Sequence, residues 1–320
     1  MTFRMTAVSA LALSALALCA VRPDAAHACS ACGCNLDTDE GSTASGFSVD
    51  ERVDVVNQNT LWQGGGKAPA SLTDPTVGDQ HEVQRNTTTI FYTTTVDYQS
   101  AERWGVNVAV PAQYRTHSTY NNGDWTASKS EWNALGDVRV LGRYALTEDR
   151  GLSLLAGIKL PTGSTQETFR NGATAGSVVD AGLQPGTGTW DLLLGSGQNG
   201  PITEQWSWFA QELWQRPLKQ QNGFAQGQTL NGSVGVRYAI DETFMPQFQI
   251  NAQNRWRDQG YNADIPNSGG EVVYASPGLF VTVAEGTSVY GFVQIPVYQR
   301  VGGLELVPDY SASLGIKHRF

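Results

Sequence analysis

Apolar and polar residues alternate with a period of two over most of the chain. In the last stretch, Tyr310, Ala312, Leu314, Ile316, His318 and Phe320 share one face, while Ser311, Ser313, Gly315, Lys317 and Arg319 share the other. Residues 104–115 repeat the pattern, with Trp104, Val106, Val108, Val110, Ala112 and Tyr114 against Gly105, Asn107, Ala109, Pro111, Gln113 and Arg115. Residues 230–240 set Leu230, Val234, Val236, Tyr238 and Ile240 against Asn231, Ser233, Gly235 and Arg237. A two-residue period places alternate side chains on opposite faces of a strand. Short hydrophilic turns at 100–103, 148–151, 199–201, 241–243 and 284–287 alternate with longer polar segments near 63–83, 118–133, 162–186, 218–226, 258–270 and 301–307. This spacing predicts an all-β fold, an antiparallel transmembrane β-barrel of about 12 strands with tight turns on one rim and long loops on the other. The stretch around Trp206, Ser207, Trp208 and Glu212 cannot be phased from the sequence.

A soluble β-sandwich with one wet face shares the alternation, and the chain ends separate the two. Arg4 precedes an apolar run from Ala7 to Ala20, and Ala26-His27-Ala28 offers a cleavage site. The run is too short to span a bilayer and has the form of a secretory signal. Residues 1–28 are therefore expected to be a signal peptide, 29–47 a periplasmic Cys-rich segment and 48–320 the barrel. No later segment is long and apolar enough for a membrane helix, so strands must do any spanning. Phe320 is the expected insertion signal. Outer-membrane lipid and the insertion machinery are then the expected partners, and the Gram-negative outer membrane the expected location. A net charge of −9 argues against nucleic acid as a partner.

Carrying the phase through the chain places Arg85, Arg115, Arg139, Arg143, Lys159, Arg237, Arg255, Arg257, Lys317 and Arg319 on the inner face, with Asp97, Asp137 and Asp191 as the main inner acids. Two readings follow. A basic lumen raises the local concentration of anionic solutes, or the charges pair across the lumen and brace the wall. The inner face Gln247, Gln249, Asn251, Gln253, Arg255 and Arg257 predicts a wet lumen. Loop 162–186, rich in Gly, Thr and Ala, either folds inward or stays outside.

Cys29, Cys32 and Cys34 form the other chemical cluster. Three thiols within six residues can converge on a soft metal, copper or zinc; a disulfide and lipidation of Cys29 compete. An enzyme is not expected. The nearest catalytic pattern is His117-Ser118-Thr119-Tyr120-Asn121-Asn122-Gly123, and its order departs from that of barrel phospholipases.

Three segments carry a family resemblance: Leu135-Gly136-Asp137-Val138-Arg139-Val140-Leu141-Gly142-Arg143-Tyr144, Gly157-Ile158-Lys159-Leu160-Pro161-Thr162-Gly163, and Leu183-Gln184-Pro185-Gly186-Thr187-Gly188-Thr189-Trp190-Asp191. With them the chain resembles the outer-membrane transporter family named after the MetA pathway of phenol degradation. The resemblance implies a barrel and uptake of aromatic or other small organic compounds. The expected function is a porin-like channel passing small anionic or aromatic organic solutes by diffusion through a basic lumen. The alternative is a non-transporting barrel that anchors a periplasmic metal- or redox-linked assembly through its Cys-rich N-terminus. No energy-coupling box stands near the mature N-terminus.

Overall fold

The computed structural model describes residues 45–76, 83–120 and 125–320. Its strands are β1 (Gly46–Gln58), β2 (Thr60–Gln63), β3 (Gly66–Lys67), β4 (Val83–Gln99), β5 (Trp104–Tyr120), β6 (Ala127–Leu135), β7 (Arg139–Ala145), β8 (Leu152–Lys159), β9 (Asp191–Pro201), β10 (Trp206–Pro217), β11 (Thr229–Tyr238), β12 (Phe244–Arg255), β13 (Gly270–Ala284), β14 (Thr287–Arg300), β15 (Leu304–Val307) and β16 (Tyr310–Arg319). A single helical turn, α1 (Ala70–Thr73), follows β3. Every strand pairing is antiparallel; β1 pairs with both β4 and β16, and β4 pairs with β5, so the sheet closes on itself. β6 and β7 divide one position in the ring, pairing with the upper and lower halves of β5. The closed wall therefore has twelve strands. β2, β3 and β15 form a separate small sheet on the loop rim, seated on Leu61, Val83 and Leu306.

The alternation explains the closure. Leu314 and Ile316 on β16, and Phe320 just past its end, are exposed outward, while Ser311 and Ser313 are buried inside. Tight connections lie where the polar turns were expected, except that β9 runs on to Pro201 and its turn falls at 202–205. Between β13 and β14 only Glu285 and Gly286 intervene, and Gly286 supplies the left-handed backbone (φ 68°) that a two-residue hairpin needs. Around the turn rim, Phe47, Tyr98 and Trp104 stack in sequence, with ring centroids 4.6 and 5.3 Å apart, and Trp206 packs on Tyr238 at 4.8 Å. These rings form the lower aromatic girdle of a membrane barrel.

One expected loop is strand instead. Residues 127–133 of the 118–133 segment belong to β6, because Ser128, Ser130 and Trp132 alternate inward with the exposed Lys129, Glu131 and Asn133. A strand whose outer face is Lys, Glu and Asn and whose inner face is mostly Ser reads as a loop in sequence. The unphased strand resolves plainly: Phe209 and Leu213 are buried inward, so Trp206, Trp208, Glu212 and Trp214 face outward.

Candidate functional site

Loop 160–190 folds into the barrel. Phe169, Val179 and Leu183 pack against Trp132 on the inner face of β6, burying apolar area that a loop outside the barrel would leave wet. Arg170 donates its backbone N–H to the Lys129 carbonyl at 2.8 Å, and Gln184 clips the loop to itself through Glu167 and Val179 at 2.7–3.0 Å. The Arg115 guanidinium, fully buried and 5.9 Å from the Trp132 ring, donates to the Leu183 carbonyl and to Thr89.

The three segments that carry the resemblance meet at one buried knot. Asp137, at the break between β6 and β7, accepts hydrogen bonds from the backbone N–H groups of Gly163 and Thr187, each at 2.9 Å, and from Lys159 Nζ at 2.7 Å. Lys159, at the end of β8, also lies 3.3 Å from Asp191 and donates to Thr187. Asp191 in turn accepts from Thr189 and Gln215, each at 2.6 Å. Gly163 and Gly186 cross in backbone contact: a Cβ on Gly163 would stand 2.7 Å from Gly186 Cα. Both ends of the inward loop are thus tied to the wall at one point, which the sequence shows as motifs without showing that they converge.

Below the loop lies a chamber of about 400 Å³. Leu155, Leu193 and Leu213 on β8 to β10 form an apolar wall, and Thr93, Thr95, Asn107 and Gln113 on β4 and β5 a polar one. Five lining cations, Arg52, Arg139, Arg143, Lys159 and Arg237, outnumber three acids, Asp54, Asp97 and Asp137. Ala181, Gly182, Gln184, Pro185 and Thr187 form its ceiling. Asp180, one residue earlier, lines a second cavity of about 670 Å³ at the loop rim with Tyr261, Asp264 and Asn267. Residues 180–187 therefore stand as a septum between chamber and mouth.

Each expected lumen residue can now be placed. Arg139, Arg143, Lys159 and Arg237 line the chamber. Arg143 pairs with Asp97 at 3.3 Å and bonds Gln99 at 2.8 Å; Arg237 donates to Gln247 at 2.7 Å with its guanidinium 4.3 Å from the Phe209 ring centroid. Arg115 and Arg255 are buried above it, Arg255 paired with Asp258. Lys317 and Arg319 keep the inward phase of β16 and lie outside the chamber lining. Arg85 is a correction: it is the extra residue of a bulge between Gln84 and Asn86, exposed, with its guanidinium 5.4 Å from the Tyr120 ring centroid. One inserted residue breaks the period that the inner assignment assumed. Arg257 is likewise exposed, two residues past the end of β12. The polar row Gln247, Gln249, Asn251 and Gln253, expected to be wet, is at most 5 % exposed. Sequence reasoning missed Arg52, which pairs with Asp54 at 2.8 Å, and Asp50, which accepts the Tyr290 hydroxyl at 2.8 Å. Their strand is weakly patterned outside, although Asp50, Arg52 and Asp54 keep the two-residue period. His117 and Ser118 point to opposite faces of β5, with His117 Nδ1 2.8 Å from Thr87 Oγ1, so the two cannot form a catalytic pair. The signal peptide and Cys29, Cys32 and Cys34 lie outside the described residues.

A closed ring of twelve antiparallel strands, apolar and aromatic outside and charged within, defines a transmembrane β-barrel. An outer membrane channel from Pseudomonas putida F1 has a similar structure, with a TM-score of 0.63 over 89 % of this chain and 100 % of that one at 12 % identity. A FadL homologue from Pseudomonas aeruginosa (TM-score 0.44, 9 % identity, 86 % of this chain and 90 % of that one) and the transport unit of the autotransporter AIDA-I from Escherichia coli (0.49, 12 %, 89 % and 93 %) are more distant and bear no argument. At these identities the likeness establishes the fold. No family model and no curated protein matches the sequence, so the family resemblance rests on its three motifs.

Proposed function

We propose that this chain is an outer-membrane channel of a Gram-negative bacterium that passes small organic solutes, anionic or aromatic, by diffusion. The observation that carries the reading is the chamber beneath the septum. Its size suits a small molecule. The leucine wall suits an apolar ring or short chain, and the majority of cations in the lining suits a negative end; adding Asp191 behind Lys159 leaves that majority in place. Gln113 supports the same reading, because its amide nitrogen stands in the chamber wall with no hydrogen-bond partner among the described residues. Most of the inner cations brace as well as attract, since Arg52, Arg143 and Lys159 each hold a carboxylate.

The test is reversal potential in planar bilayers under a salt gradient. Wild type should prefer anions, and joint Arg139→Gln and Arg237→Gln substitution should lower that preference several-fold while leaving the barrel folded. A cation-selective wild type, or a preference untouched by the double substitution, would overturn the assignment.

A further inference from the structure

The outer surface of the barrel carries its charges unevenly. The two turns that join β9 to β10 and β11 to β12, at 202–205 and 239–243, hold Glu204, Asp241 and Glu242 and no cation. At the opposite ends of the same four strands the sign reverses. Arg216 ends the outward row of β10 that begins at Trp206, Lys219 follows in the loop to β11, and Arg257 follows β12; all three are exposed. From Leu213 to Arg257 the only acids are Asp241 and Glu242, both on the far rim. The acids at the loop ends of β9 and β12, Asp191 and Asp258, are buried against Lys159 and Arg255. Glu271, one strand further on β13, accepts the Tyr298 hydroxyl at 3.3 Å.

Three tryptophans stand with these cations. Trp190 and Trp256 are exposed and Trp214 half-buried. Hydrogen bonds tie their strand ends together: the Leu218 N–H donates to the Trp190 carbonyl at 2.8 Å, Trp214 Nε1 to Gln228 Oε1 at 3.3 Å, and the Trp256 N–H to the Gln228 carbonyl at 2.9 Å. The depth of this facet follows from the strand itself. Ten residues separate Trp206, in the lower girdle, from Arg216. At about 3.3 Å per residue and a tilt of about 40° they span about 25 Å, the height of the apolar band of such a barrel. Arg216 therefore lies where hydrocarbon gives way to headgroups on the loop side, with Trp214 just below it, the level at which indole rings gather. Glu212, on the same row, accepts the Ser196 hydroxyl at 3.1 Å and lies about 10 Å deeper.

We infer that this facet binds the phosphate groups of the phosphorylated glycolipid of the outer leaflet, lipopolysaccharide. Long loops mark the external side of an outer-membrane barrel, so the rim that carries Arg216 and Lys219 meets that leaflet. A guanidinium grips a phosphate through two parallel N–H donors, and an ammonium adds a point charge. The indole rings seat at the boundary between acyl chains and sugar, apolar body inward and N–H toward the polar side. On the turn rim the acids of the same strands repel such a headgroup, so the contact belongs to one leaflet. Such binding requires the outer-membrane location proposed above and is independent of what the chamber passes, so it and the anion preference can fail separately.

Native mass spectrometry of the full chain in detergent, titrated with purified rough lipopolysaccharide, tests the inference. Wild type should hold the glycolipid, and joint Arg216→Gln and Lys219→Gln substitution should weaken binding about thirtyfold, either change alone about fivefold. Arg216→Lys should weaken it less than Arg216→Gln, and Arg103→Gln on the turn rim should leave it unchanged. Heat-modifiable mobility on gels reports a folded barrel for each variant. Glycolipid stripped of its phosphates should bind no better to wild type than to the double variant. Binding that survives the double substitution, or the loss of the phosphates, overturns the inference. Phosphatidylglycerol held equally well would assign the facet to anionic lipid in general, and displacement by an equal concentration of inorganic phosphate would assign it to the free ion; either result equally overturns it.

Discussion

Lys159 is 3 % exposed between Asp137 and Asp191, themselves 8 % and 0 % exposed. Charges so placed tolerate removal of a partner poorly, because the carboxylates left behind have no water to turn to. Lys159→Met should therefore cost about 3–5 kcal/mol, read from urea unfolding in lipid vesicles, and should raise conductance by freeing both ends of the inward loop. Adding Asp137→Asn and Asp191→Asn should recover much of the loss. Recovery with conductance still low would mean that the knot stabilises the wall and has no hold on the septum. The residues of this knot were legible as motifs, since Lys159 and Asp191 keep the inward phase of their strands and Asp137 shares the parity of Arg139, two residues before β7 begins. Their meeting was not legible, because it depends on the whole loop between β8 and β9, residues 160–190, returning to its own start. Arg85 shows the opposite failure: a bulge leaves no mark in an alternating pattern, and one residue's slip reverses the face.

Among the elements, the strands were the most readable part and the inward loop the least. Its Gly, Thr and Ala content has no period, yet Phe169, Val179 and Leu183 were visible as apolar residues in a segment that had no evident surface to cover. Those three side chains decide its inward course. The septum also carries a charge that should make it sensitive to acidity. Burial among its neighbours, and then the nearby Asp264 carboxylate, push the Asp180 carboxyl above its ordinary range, although its side chain still reaches solvent. A raised acid favours the seated loop while protonated and opposes it once ionised. That contribution is full below the ordinary aspartate range and is lost as pH rises through the raised value. Conductance should accordingly fall on acidification across the carboxylate range. Asp180→Asn should flatten the dependence, and a conductance that instead rises in acid would show that another group governs the septum.

For the molecule as a whole, closure depends on β1 meeting β16, the strands farthest apart in sequence. Ten consecutive register pairs join them, from Ser48 with Arg319 to Asn57 with Tyr310, and the Phe320 N–H donates to the Phe47 carbonyl at 2.9 Å. Such a pairing forms late in folding because its loop-closure entropy must be met first. Phe320→Ser should lower the yield of folded barrel in outer membranes several-fold, measured as the heat-modifiable fraction; an unchanged fraction would show that the terminal ring is dispensable. The twelve strands and their short and long connections could be read from the sequence because lipid and water impose opposite demands on adjacent residues. The burial of the Gln and Asn row could not, since a polar inner face reads the same whether water or protein covers it.

The septum at 180–187 makes the passage two rooms with a door between them. In an open pipe, throughput grows in proportion to what is supplied. On the proposed reading, each solute crosses only when the septum yields, so throughput levels off once the outer room is always occupied, and beyond that point the septum sets the pace.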